Sequence, residues 1–124
     1  MAGTATRSRR LSRSADFEAV YRRGRSASTR HLVVYAFARD PAAGATEPRV
    51  GLTVSRKVGG AVERNRVKRL LREAFATRRD AIAGAHDVVI VARPGLAEAL
   101  NDEKLDWLEA EVRDLAGRAS GSPA

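Results

Sequence analysis

Cysteine is absent from this 124-residue sequence, which excludes a disulfide scaffold, a thiolate metal site and a cysteine nucleophile. The two histidines, His31 and His86, stand far apart and offer no imidazole-rich metal centre. Aromatic residues make up only 5% of the chain, with a single tryptophan, Trp107, which is assigned to packing. No apolar run approaches the roughly 20 residues of a membrane-spanning helix. The basic stretch from Met1 to Arg13 lacks the apolar core of a secretory signal. These absences predict a soluble, intracellular, cytoplasmic chain with no membrane partner. Also missing are a phosphate-cradling glycine loop with its Lys and Ser/Thr, and a zinc-binding HExxH helix; Gly59-Gly60 is too short for a dinucleotide fingerprint. Asp102 and Asp106 share a solvent-type helix face and make a poor acid–base pair. The residues offer no catalytic constellation, no metal site and no small-molecule site, so the chain reads as a binding module.

What is present is positive charge. Lys and Arg number 23 against 15 Asp and Glu, a net charge of +8, and the isoelectric point is 11.1. That balance favours a polyanionic partner. Arginine supplies 20 of the cations; its planar guanidinium grips phosphate through two hydrogen bonds. A GC-rich genome gives the same skew, so the distribution carries more than the total. Residues 1–30 and 49–79 hold surplus cations, while residues 80–124 hold surplus acids. A chain this short folds as one domain with one charged side. The expected division is a mobile basic arm over 1–10, a single domain over 11–117 and a disordered small-residue tail over 118–124.

Hydrophobic periodicity places the elements. Ser14 reads as the N-cap of a short helix with Phe17, Val20 and Tyr21 on one face and Gly24 as its stop. His31–Ala38 alternates as a strand, with Val33, Tyr35 and Phe37 on one side; Asp40–Pro48 reads as an exposed connection. Arg49–Ser55 alternates again, and an antiparallel hairpin is the economical pairing of the two strands. Over 61–79, Val67, Leu70, Leu71, Ala74 and Phe75 recur at helical spacing and define an amphipathic helix. Asp87–Arg93 reads as a buried strand, and Asn101 as the cap of a last helix ending at Gly117. The order α, β, β, α, β, α is that of a small α+β domain.

On the helix over 61–79, Asn65, Lys68, Arg69 and Arg72 share the polar face and Arg64 flanks it. Arg66 lies on the other flank, where its stem packs against the apolar stripe and its head emerges at the edge. Like charges at these spacings repel by about 0.2–0.5 kcal/mol per pair, a cost that a polyanion relieves. A solvated face in an arginine-rich chain fits the charge pattern as well. Two features favour a ligand: the cations follow Ser55-Arg56-Lys57-Val58-Gly59-Gly60, whose glycines allow close backbone approach, and the closing helix is acidic. Phe17, Tyr21 and Tyr35 are candidates for a base-stacking platform, although Phe17 and Tyr21 at helical spacing equally fit a core stripe.

The segment Val62-Glu63-Arg64-Asn65-Arg66-Val67-Lys68-Arg69-Leu70-Leu71-Arg72-Glu73-Ala74-Phe75 resembles the protein subunit of bacterial ribonuclease P. The resemblance spans residues 8–115 and takes in the Ser14-Ala15-Asp16-Phe17 helix start, Tyr21, Gly24, Val34-Tyr35, Arg49 to Lys57, and Val88 to Arg93. It implies a two-layer α/β sandwich with a mixed sheet and a left-handed βαβ crossover, like the second domain of a small-subunit ribosomal protein. It also implies a non-catalytic subunit that joins a catalytic RNA and the 5′ leader of precursor tRNA, in an endoribonuclease that releases that leader. The Mg2+ that the assembly requires is implied to be held mainly by the RNA. By the same resemblance Arg64, Asn65, Arg66, Lys68, Arg69 and Arg72, with Arg56 and Lys57, meet the catalytic RNA, and Phe17, Tyr21 and Tyr35 line the leader cleft. A general RNA-binding or ribosome-associated domain is the alternative, and a self-sufficient nuclease a third.

Overall fold

The computed structural model describes residues 14–39, 48–77, 85–101 and 106–121. The elements in chain order are α1 (Ser14–Arg23), β1 (Arg25–Ser28), β2 (Leu32–Ala38), β3 (Arg49–Thr53), α2 (Ala61–Thr77), β4 (His86–Ala92), α3 (Leu96–Ala99) and α4 (Asp106–Ser120). The strands form one mixed sheet in the order β1-β2-β4-β3. β2 pairs antiparallel with both β1 and β4, while β3 pairs parallel with β4. The α+β architecture with a mixed sheet is therefore as expected.

The expected β2–β3 hairpin is not formed, because β4 lies between the two strands. The reason is legible in β4 itself. Its Val88-Val89-Ile90 run is buried throughout, the pattern of a central strand covered on both faces rather than of an edge. Central placement lets β3–α2–β4 close as a parallel βαβ unit. β1 has a polar sequence with only Ala27 half-buried, and such an edge strand carries no alternation to betray it.

Period-2 alternation divides the sheet between two clusters. Leu32, Val34, Ala36, Val50, Val88, Ile90 and Ala92 face the main core. There they meet Val67, Leu71, Ala74 and Phe75 of α2, and Leu108, Val112, Leu115, Ala116 and Ala119 of α4. The opposite face carries Val89 with Tyr35, Phe37 and Val91, and α1 covers part of it through Val20 and Phe17. α1 ends at Gly24, whose N–H donates to the Val20 carbonyl at 2.8 Å. A Cβ at Gly24 would lie 2.4 Å from that oxygen and 2.7 Å from the Ala36 carbonyl, so only glycine lets the chain turn straight from helix to edge strand.

The last helix departs from expectation at its C-terminal end. Its described part begins at Asp106, preceded by the short α3, which four residues are too few to reveal by periodicity. It passes through Gly117 to Ser120, and Ala119 is buried, so residues 118–120 of the expected tail belong to the helix. Gly121, with φ at 77°, supplies the left-handed turn that ends it. The expected arm, most of the Asp40–Pro48 connection, Arg78, Arg79 and the Asp102-Glu103 turn lie outside the described residues.

Candidate nucleic-acid interface

α2 begins where the Gly60 carbonyl accepts the Arg64 N–H at 2.9 Å. Its apolar stripe is buried in the core, which turns its charged side outward. Asn65 and Arg69 are exposed, while Arg64, Lys68 and Arg72 are half-buried, with stems lying along the helix. No described hydrogen bond engages the Arg64 Nε. The loop from β3 into α2 is pinned at its middle by Val58, which is buried in the core, and by the Val58 N–H donating to the Ser55 carbonyl at 3.0 Å. Arg56 and Lys57 are lifted into solvent by that turn. A Cβ at Gly60 would meet nothing within 4 Å, so the backbone there is open to an approaching ligand, whereas Gly59 lies against Glu63.

Arg66 is the exception in the cationic set. Its guanidinium is half-buried, and Nη2 donates to the Leu100 carbonyl at the end of α3.

On the other face of the sheet the aromatic candidates come together. The Tyr21 and Tyr35 rings meet edge to face with centroids 4.9 Å apart, and Phe17 lies 6.4 Å from Tyr21. Such geometry is the favoured one for aromatic quadrupoles. The Tyr21 hydroxyl is hydrogen-bonded to Thr53 Oγ1 at 2.9 Å, which fixes the ring while leaving the residue 40% exposed. Phe17 and Tyr35 are half-buried against Val20 and Val89, so the platform and the core stripe are the same residues seen from two sides. Beyond Tyr35 the face continues over Val33 to the exposed Ser26 and Ser28 of β1, their register partners.

A buried ion pair, unforeseen in the sequence, holds α1 over this face. Arg49 and Asp87 are register partners on parallel strands. Arg49 Nε and Nη2 donate to the two Asp87 oxygens, each at 2.8 Å, and Asp87 is 5% exposed. The bidentate hydrogen bond with Asp87 pushes the Arg49 pKa further above its already high ordinary value. Arg49 Nη2 also lies 3.6 Å from Asp16 of α1, and Arg39 Nε 3.5 Å from Asp87. α1 is thus tied to β3 at both ends, by Asp16 to Arg49 and by Tyr21 to Thr53. Sequence reasoning missed Arg49, Asp87 and Thr53 because their partners lie 32 or more residues away. His31 and Trp107, read as structural, meet as tilted rings with centroids 4.9 Å apart, with His31 Nδ1 3.4 Å from Glu111 Oε2.

No group of three His, Cys, Asp or Glu residues among the described residues is arranged to hold a metal ion. Nor is any described helix long and apolar enough to cross a membrane. Asp16 of α1 and Asp87 of β4 are both engaged by Arg49.

Known proteins share both the sequence and this architecture. The ribonuclease P protein component of Brevibacillus brevis is 44% identical over 100 residues, covering 81% of this chain and 76% of the relative. That of an Exiguobacterium species is 44% identical over 113 residues, covering 88% and 96%. Among solved structures, the RNase P protein from Thermotoga maritima matches with a TM-score of 0.76 at 28% identity, covering 88% of this chain and 96% of that one. A Staphylococcus aureus RNase P protein matches with a TM-score of 0.67 at 28% identity, covering 90% and 91%. The family model for ribonuclease P matches residues 5–120, and the chain belongs to that family: it is a protein component of ribonuclease P, an endoribonuclease of tRNA processing that has an RNA partner.

Proposed function

We propose that this chain is a non-catalytic subunit that docks the catalytic RNA of ribonuclease P and steadies the 5′ leader of precursor tRNA. Arg64, Asn65, Lys68, Arg69 and Arg72 on α2, with Arg56 and Lys57 on the preceding loop, meet RNA phosphates. Neutralising phosphates with cations releases condensed counterions and gives the affinity its salt dependence. The leader lies on the face between α1 and the sheet, where Phe17, Tyr21 and Tyr35 stack with unpaired bases. The observation that carries this reading is the Tyr21–Tyr35 pair, held by packing and by Thr53 yet left partly open to solvent on the half-covered side of the sheet. Stacking at about 1–3 kcal/mol per base tolerates any sequence, as an enzyme that processes many tRNAs requires.

The donor set described above does not make a Mg2+ cage, and this reading leaves the Mg2+ of the assembly to the RNA. What the chain contributes is cationic surface between two polyanions, which lowers the divalent ion concentration needed to hold them together.

Reconstitution tests the proposal. The chain alone should leave precursor tRNA intact, and adding it to the cognate catalytic RNA should restore leader removal at low Mg2+. Cleavage by the RNA-free chain would make it a nuclease in its own right; no effect on the RNA would leave a general RNA-binding domain.

A further inference from the structure

Given α2 as the RNA-docking helix, a reading on which this step rests, we infer that Arg66 is a positioning residue that fixes the pose of the cationic helix and leaves the phosphate contacts to its neighbours. Arg66 sits among cations in sequence, but its guanidinium is bonded to a protein carbonyl. Its Nη2 donates to the carbonyl of Leu100, 34 residues further on. Leu100 closes α3: its N–H donates to the Leu96 carbonyl at 2.9 Å and its side chain is fully buried. A carbonyl at a helix end has no following turn to satisfy it, so an arginine from a neighbouring element is its natural donor. The contact joins α2 to the segment that leaves the central strand β4.

Two consequences follow from that geometry. The guanidinium is half-buried and committed to a protein acceptor, so its fork is not free to grip a phosphate from the front of the helix. Burial of Val67, Leu71, Ala74 and Phe75 sets which side of α2 faces outward, and the Arg66 hydrogen bond on the opposite flank holds that pose, and with it the direction in which Lys68, Arg69 and Arg72 point. Arg64, two residues earlier, shows the contrast: among the described residues no protein acceptor holds its guanidinium, although its Nε is buried. The arginines of the Arg64-Asn65-Arg66 triplet therefore divide their labour, Arg64 facing RNA and Arg66 facing the protein.

The test compares Arg66→Met, Arg66→Lys, Arg69→Met and Lys68→Met in the full chain, with thermal melting and the salt dependence of binding to the cognate ribonuclease P RNA as readouts. Methionine keeps the apolar stem and removes the donor. Arg66→Met should lower Tm by about 5 °C, the loss of one useful hydrogen bond, with the slope of log affinity against log salt unchanged. Arg66→Lys should recover part of the Tm, since an ammonium also donates to a carbonyl. Arg69→Met should do the reverse, keeping Tm and making the slope shallower by about 0.7–0.9, one lost phosphate contact. A shallower slope for Arg66→Met, or no change in its Tm, overturns the assignment. Should Arg66→Met not fold, Arg66→Lys decides by the same two readouts, a shallower slope or an unmoved Tm again counting against it. An unmoved slope for both Arg69→Met and Lys68→Met would instead defeat the docking role of α2 and leave the Arg66 Tm result standing by itself.

Discussion

The two faces of the sheet are built from alternate residues of the same strands, and they have opposite characters. On the packed face, Leu32, Val34, Val88 and Ile90 are fully buried beneath α2 and α4. On the other face, Tyr35, Phe37 and Val91 are only half-covered by one short helix, which is tied down by an ion pair and a hydroxyl contact. The first face follows from hydrophobic burial, which is non-directional and tolerant of detail. The second depends on directional contacts, and it keeps apolar rings accessible. A surface meant to hold another molecule has to stop short of burying itself.

Substitutions on each face sharpen this contrast. The largest effect belongs to the packed face, where Phe75→Ala should destabilise the fold by about 3–5 kcal/mol in denaturant titration. The ratio of precursor to mature tRNA affinity, measured where the variant remains folded, should not move.

Asp87→Ala attacks the other face at its tether. It leaves Arg49 half-buried without its bidentate partner and should cost about 3 kcal/mol, this time with a loss of preference for leader-bearing tRNA. The pH dependence has a definite sign. A pKa raised in the folded state adds stability below the unfolded value and loses it only as pH climbs past the folded value. Arg49 is raised above an ordinary value that is itself strongly alkaline, so its contribution should stay constant from neutral to strongly alkaline pH. A difference between wild type and Arg49→Met that declines from about pH 8 to 10 would contradict the pairing.

Gly24→Ala forces a Cβ against the Val20 and Ala36 carbonyls and should cost about 1–3 kcal/mol in thermal or chemical unfolding. The smallest effect on stability belongs to the aromatic pair. Tyr35→Ala should weaken binding of precursor tRNA by about 1–3 kcal/mol, while mature tRNA binds as before. Equal losses for both RNAs would assign the ring to packing and erase the functional difference between the faces.

Much of this was legible in the residues. The stripe of Val67, Leu71, Ala74 and Phe75 marked the core side of α2 and, by subtraction, its cationic side, because helical periodicity is a local property. Phe17, Tyr21 and Tyr35 were legible as aromatics on defined faces. Their meeting at 4.9 Å was not, since nothing local says that α1 lies on the face of β2 that carries Tyr35. β1 escaped notice because an edge strand needs no apolar pattern, and α3 because it is a single turn.

The sequence by itself determined which residues repeat at helix and strand periods, where the positive charge concentrates, and the family to which those patterns belong. Only the tertiary structure decided that β4 separates β2 from β3, that Arg49 meets Asp87, and that Arg66 turns inward to Leu100 while Arg69 is left in solvent. The physical reason is separation along the chain. Periodicity acts within a turn or a strand, whereas a guanidinium finds its acceptor 34 or 38 residues away only after the core has brought the elements together.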